Sequence, residues 1–328
     1  MSQLMSDLLF ALSWYAIPVM IVLLLVSLGG LFSERSGIVN IALEGIMVMG
    51  GFAGAVVMWV LRQHSDLPLQ VIVLIGLFTG AIAGLIFSAA HAFASIRMNS
   101  NQIISATALN LFAPALSVFV ARTFIIEGGR STDRINISDS YRIDVPYLSD
   151  LPFIGNFLFS NAFISTYIGF VILVIVTIVF YKTRLGLRIR SCGENPHAAD
   201  SLGINVYKIR YIGVLLSGLL AGLGGAVYLV SFHNRFDGHV RGLGFLALAL
   251  LISGQWKPGR IFLFAIIFAS FHVVASQYDS IGVLSAIRLP TELYKMMPYL
   301  FTLSILAFLS KHSQAPKAVG EPYDSGKR

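Results

Sequence analysis

Charge and cysteine are what this 328-residue sequence has least of. Only 12% of its residues are charged, about half the share found in soluble domains. Its one cysteine, Cys192, cannot close an intrachain disulfide, and its expected cytoplasmic placement argues against redox chemistry, so it reads as a small filler residue. No Gly-x-x-x-x-Gly-Lys-Ser/Thr loop is present to cradle nucleotide phosphates, and neither a nucleophile elbow nor a His-Glu-x-x-His helix occurs. The chain is therefore not expected to be an enzyme or to hold a cofactor, and any ATP it uses must be hydrolysed elsewhere. His91 and His272 stand alone in apolar segments, without a second ligand at metal spacing, which favours packing over metal binding. The first apolar stretch lacks a basic leader and a small-residue cleavage site, so it reads as a retained span. The short alternating segments of a membrane barrel are missing too, which leaves helices.

Apolar residues are what remain: 56% of the chain, with a mean hydropathy of +0.79. A hydrocarbon core about 30 Å thick takes roughly 20 apolar residues per helix, and long runs fall at 9 to 32, 38 to 61, 69 to 96, 102 to 121, 162 to 181, 210 to 232, 243 to 255, 260 to 277 and 297 to 310. The expected fold is all-α, a polytopic bundle of about eight to ten spans. The 243 to 255 run is short for a full crossing, and the 69 to 96 run is long enough to be tilted or broken. Residues 1–310 form the membrane domain and 311–328 a tail.

A net charge of +7 would suggest nucleic acid in a soluble protein; here it is sorted by membrane side. With nine spans and the amino terminus outside, 14 of the 23 Lys and Arg fall inside. The net charge is then +9 inside and −1 outside, with Glu44 inside a span. The densest basic stretch, 182 to 210, is cytoplasmic on this reading, and the carboxyl terminus lies on the same side. The polar 123 to 161 segment is then an outer loop, either a docking surface or a structural cap.

Within the cytoplasmic loop, 182 to 209, Asn195 is placed as a helix N-cap, Pro196 as the first helical residue and Gly203 as the residue past the end. Two turns of helix are marginal alone, so this element packs either on its own protein or against a partner. Ser217, Ala221 and Gly225 recur every four residues, with Gly218 and Gly222 alongside, a small-residue face that lets helix backbones approach closely in lipid. Glu44 is an acid within a span, a costly placement without water, a partner or a proton. It reads as part of a pathway or gate, or as a structural anchor one to two turns from the cytoplasmic end. Asn40 lies four residues away, on the same face if the segment is helical, and Gly45, Gly50, Gly51 and Gly54 offer places to unwind. Thr107 and Asn110 either line a solute path or bond a neighbouring helix.

Several motifs together resemble one family. They are Ser36-Gly-Ile-Val-Asn-Ile-Ala-Leu-Glu-Gly45, Asn101-Gln-Ile-Ile104 with Leu109-Asn110, Gly193-Glu-Asn-Pro-His-Ala-Ala199, Gly203-Ile-Asn-Val206, Ser217 to Ala226, Gly242-Leu-Gly-Phe245, Trp256-Lys-Pro258 and Met297-Pro-Tyr299. In order and spacing they resemble the permeases of bacterial ABC importers for branched-chain amino acids, simple sugars and nucleosides, the nucleoside branch most of all. The resemblance implies a multi-pass protein of the bacterial inner membrane. Its expected partners are a cytoplasmic ABC ATPase, a second permease subunit, identical or related, an extracellular or periplasmic solute-binding protein, and membrane lipid, with no nucleic acid. It implies that Gly193, Glu194, Asn195, Pro196, Ala198, Ala199 and Gly203 form the ATPase coupling loop, and that Asn40, Glu44, Thr107 and Asn110 lie near the path. An ion-coupled secondary transporter using Glu44 is the competing class; it would be expected to show internal repeats, and none is evident.

Overall fold

The computed structural model describes residues 15–125, 135, 141–144, 161–232, 236–276, 290–309, 315–324 and 326. In chain order its helices are α1 (Ile17–Arg35), α2 (Leu43–His64), α3 (Leu69–Ala92), α4 (Gln102–Val120), α5 (Ile164–Lys182), α6 (Arg184–Glu194), α7 (Pro196–Ser201), α8 (Val206–Phe232), α9 (Leu243–Ser253), α10 (Pro258–Ser276) and α11 (Thr291–Leu309). α3 and α4 each run on into a π turn, Phe93–Arg97 and Ala121–Ile125. A two-residue antiparallel pair, β1 (Arg142–Ile143) with β2 (Ala162–Phe163), sets Arg142 opposite Phe163 and ties the middle of the 123 to 161 loop to the start of α5. Most of the 123 to 161 loop lies outside the described residues.

Among the described residues seven helices, α1 to α5, α8 and α10, are long and apolar enough to cross a membrane. Each of the nine expected apolar segments has most of its described residues on a helix. The remaining two are α9, whose 11 residues rise only about 16 Å, and α11, whose 19 residues include Glu292 in the first turn. The long third segment is one helix ending in its π turn, not a broken one. Local chemistry sets the ends: Asn101 caps α4 by accepting from the Ile103 and Ile104 N–H groups at 2.9 and 3.2 Å, and Pro68 precedes α3.

α1 and α8 form the centre, almost wholly buried, while α4 and α5 turn most of their surface outward. In lipid, apolar burial does not separate helix from solvent, so close contact between small residues does much of the packing. A Cβ on Gly29 of α1 would stand 2.8 Å from the Ser217 carbonyl oxygen and 3.4 Å from the Ala221 nitrogen. One on Gly218 or Gly222 would overlap α3 at Ser88, Gly84 and Gly80, and one on Gly225 would overlap the Met47 backbone of α2. The small-residue register of α8 thus serves three neighbours at once.

The second apolar segment departs from the expectation. Residues 36–42 are not helical; the chain turns at Gly37 (φ +98°) and helix resumes only at Leu43. Asn40 and Glu44 therefore do not share a helical face. Gly45, Gly50, Gly51 and Gly54, expected as places of unwinding, all lie within α2. Contact is the reason for at least two of them: a Cβ on Gly50 would overlap the Gly222 backbone, and one on Gly54 would lie 2.9 Å from the Gly76 carbonyl oxygen of α3.

Candidate functional site

Non-helical backbone inside a membrane bundle must find its hydrogen-bond partners within the protein. Side chains from α3 and α4 supply them to residues 36–42, and α8 holds the Asn40 side chain within the break. The Val39 N–H donates to Gln102 Oε1 at 2.8 Å, and the Val39 carbonyl oxygen lies 2.9 Å from His91 Nε2. His91 Nδ1 is 3.0 Å from Ser105 Oγ, so this buried ring bridges α3, α4 and the break. Asn110 Nδ2 donates to the Ile41 carbonyl oxygen at 2.9 Å, while its Oδ1 accepts the Gly45 N–H at 2.8 Å. From α8, Ser217 Oγ accepts from Asn40 Nδ2 at 2.9 Å, and Asn40 Oδ1 accepts the Ala42 N–H at 3.2 Å.

The break delivers Glu44 to the middle of the bundle. α9 lies alongside the second half of α1: Ser27 Oγ donates to the Ala247 carbonyl oxygen at 2.8 Å, a Cβ on Gly30 would meet Leu251 at 3.0 Å, and Trp256 Nε1 donates to Glu34 Oε2 at 2.5 Å. By this register the start of α9 is level with the middle of α1. Glu44, in the first turn of α2, sits at that level. Its Oε1 accepts the Gly242 N–H at 2.8 Å and its Oε2 the Gly244 N–H at 2.7 Å. Gly242, the N-cap of α9 (φ +80°), has no side chain to cap with, so a carboxylate from α2 takes the N-terminal donors, where a helix dipole favours an anion. One acid thereby ties the starts of two interrupted helices together at mid-depth.

Thr107 stands apart. It is exposed on α4 and its hydroxyl donates to the Ile103 carbonyl oxygen of its own helix at 2.8 Å. The structure brings Asn40, Glu44 and Asn110 together around the break, and leaves Thr107 on the outer face.

The expected two-turn helix is α7. Asn195 caps it by accepting the Ala198 N–H at 3.0 Å, Pro196 is its first residue, and Gly203 follows its end at φ +79°. Sequence reading missed that α6 precedes it as a helix. Gly193 is buried so tightly that a Cβ would overlap the Arg35 carbonyl oxygen. Arg35 Nη1 meets Glu194 Oε1 at 3.2 Å, which ties the loop to the end of α1. Pro196 and Ala199 face inward, while Glu194, Asn195, Ala198 and Gly203 are exposed. Leu202, at 82% exposure, is the barest large apolar side chain among the described residues. Burial pushes the Cys192 thiol up to about 11, against a smaller lowering by Arg210.

The tail was expected only as a cytoplasmic extension. Its residues 315–324 instead pack on this same end. The Ala318 N–H donates to the Gly193 carbonyl oxygen at 2.9 Å and the Gly320 N–H to the Gly37 carbonyl oxygen at 3.1 Å. Buried Arg210 donates to the Glu321 carbonyl oxygen at 3.0 Å, and Tyr207 Oη to the Tyr323 carbonyl oxygen at 3.2 Å. The Tyr323 ring lies 5.2 Å from both His197 and Tyr207. Nothing periodic in the tail sequence signals this contact. Among the described residues no cluster of His, Cys, Asp or Glu has the makings of a metal site.

Comparison with known proteins gives the family. The chain is 39% identical to the nucleoside ABC transporter permease protein NupC of Lactococcus lactis, over 93% of this chain and 94% of that one. It is 38% identical to the guanosine ABC transporter permease protein NupQ of Bacillus subtilis, over 99% of each. A putative glucose ABC transporter permease protein of Haloferax volcanii, TsgC13, is 30% identical over 88% of each. No solved structure matches. Residues 14–306 match the family described as branched-chain amino acid transport system / permease component. With relatives this close along nearly its whole length, the chain belongs to that family and is an ABC transporter permease.

Proposed function

We propose that this permease carries a nucleoside across the bacterial inner membrane, driven by ATP that a separate ABC ATPase hydrolyses on the cytoplasmic side. The observation that carries the solute class is the pair of nucleoside and guanosine permeases similar over nearly the whole chain; a simple sugar comes second, through the more distant glucose permease. A second permease, identical or related, completes the pathway, and an extracellular binding protein delivers the solute. The carboxyl-terminal tail is cytoplasmic, because it packs on the loop that the basic residues place inside.

α6 and α7 form the ATPase coupling element. Buried Gly193, Pro196 and Ala199 fix it to the permease, while Glu194, Asn195, Ala198, Leu202 and Gly203 face the motor. Leu202 is the most exposed large apolar side chain on this face among the described residues. Force applied there reaches the break at 36–42 through Arg35, the tail and Gly37. Asn40, Glu44 and Asn110 hold the two interrupted helices whose movement opens the path. Thr107 joins the path only where a second permease packs against α4. The ion-coupled alternative needs Glu44 to bind and release a cation, yet both its oxygens already accept backbone N–H groups.

The test is Leu202→Asp together with Asn195→Ala in the reconstituted complex. The expected result is folded protein with lost ATP-driven uptake; uptake at the unaltered rate would remove the coupling role of this loop.

A further inference from the structure

At the end of the bundle opposite the tail, a cavity of about 280 Å³ opens between the start of α1, the end of α8, the start of α9 and the end of α10. Its lining includes Tyr15, Tyr228, Phe232, Arg241, His272 and Ser276. Arg241 and Leu243, also in the lining, flank Gly242, whose N–H Glu44 accepts. The cavity floor is thus the clamped start of α9 at mid-depth. From there the cavity reaches Val19 and Tyr15, toward the amino-terminal end of α1.

We infer that this cavity is a solute-receiving site for a single uncharged nucleoside, an inference that rests on the permease reading above. Its size suits one small molecule and not a peptide or an oligosaccharide. Tyr15, Tyr228 and Phe232 offer ring faces of the kind on which a base stacks, a contact that tolerates different bases because each has a π face. The His272 ring and the Tyr15 hydroxyl are groups that hydrogen-bond ribose hydroxyls or base edges, and Ser276 Oγ, which donates to the His272 carbonyl oxygen, keeps its acceptor capacity. Among the described residues of this lining the one cation, Arg241, has Asp237 3.9 Å from its guanidinium, so these residues offer a phosphate no unmatched positive charge. That pairing favours nucleoside over nucleotide. Release toward the opposite end requires the floor to move, which is where Glu44 joins α2 to α9.

The lone Cys192 makes a direct test simple. Ser276, exposed at the end of α10, is changed to cysteine in a Cys192→Ser background, and the assembled transporter is placed in vesicles that are also assayed for uptake. Methanethiosulfonate labelling of Ser276→Cys is timed with and without guanosine or uridine. At a nucleoside concentration ten times its Kd, mass action slows labelling about elevenfold; the monophosphates leave it unchanged, and adding Tyr228→Leu removes the protection while Tyr228→Phe keeps it. Vesicles that import nucleoside without protecting Ser276→Cys overturn the site while leaving the permease reading intact. Equal protection by the monophosphates overturns its selectivity, and persistence of protection in Tyr228→Leu overturns the role of the ring. Vesicles that import a sugar and no nucleoside remove the reading on which the site rests, and the site with it.

Discussion

Glu44→Gln separates the two readings of the buried acid. In the structure both carboxylate oxygens accept N–H groups from the start of α9, at 2.8 and 2.7 Å. Glutamine keeps one acceptor and turns an NH₂ group toward the other donor. The change removes one charge-assisted bond, about 1.5–3 kcal/mol, and leaves a donor facing a donor. It also removes the anion from the N-terminus of α9, roughly another 0.3–1 kcal/mol. The sum is about 2–4 kcal/mol; at roughly 2–4 °C per kcal/mol, the scale for domains of 150–250 residues, Tm falls by about 4–16 °C. The assay is thermal unfolding of detergent-purified protein followed by size-exclusion fluorescence, run beside Glu44→Asp, whose shorter side chain reaches only one of the two donors. Both variants should unfold early, and ATP-driven uptake at low temperature should survive in part. A Glu44→Gln protein with unaltered Tm and abolished uptake would refute the anchor argument and point to a titrating, ion-coupled acid.

Asn110→Ala orphans the Gly45 N–H and the Ile41 carbonyl; about 1–4 kcal/mol is expected, given the modest worth of bonds inside bundles, while Thr107→Val, altering an exposed self-bonded hydroxyl, should leave Tm unchanged. Deleting residues 315–328 removes four hydrogen bonds to Gly37, Gly193, Tyr207 and Arg210; limited trypsin digestion at Arg188 and Lys208 should accelerate several-fold, and an unchanged rate would mean that the tail does not hold the loop. Cys192 should resist maleimide at pH 8.5 in native protein and react fully once unfolded, because burial raises its thiol to about 11. A raised acid favours the protonated folded state, so this contribution is present below the thiol's unfolded pKa and lost as pH rises through about 11; rapid native labelling would contradict the buried placement.

The helical bundle was legible because a continuous apolar run of some 20 residues can satisfy its own backbone in lipid only by coiling into a helix, and most of the described residues in each of the nine segments lie on one. The α7 cap was legible because Asn195, Pro196 and Gly203 act locally. The break at 36–42 was not, since Ile38, Val39, Ile41 and Ala42 extend the apolar pattern of α2 with only Asn40 between them. What decides it is tertiary: Gln102, His91 and Asn110 satisfy a backbone that would otherwise coil, and Ser217 holds the Asn40 side chain within it. Glycines that resemble hinges in sequence serve as contacts for the same reason, because only the neighbouring helix shows why a Cβ is excluded. The depth of Glu44 followed the same logic: counted along the chain it is close to Arg35, but the re-entrant break carries it back to mid-bundle.

The measurement that bears most directly on the account is uptake of radiolabelled nucleoside into proteoliposomes holding this chain with its co-purifying partners. ATP is supplied on the loop side, and every ion gradient is collapsed by ionophores. The account predicts accumulation that requires ATP hydrolysis and persists without any gradient. Accumulation that follows an imposed proton or sodium gradient and ignores ATP would contradict it.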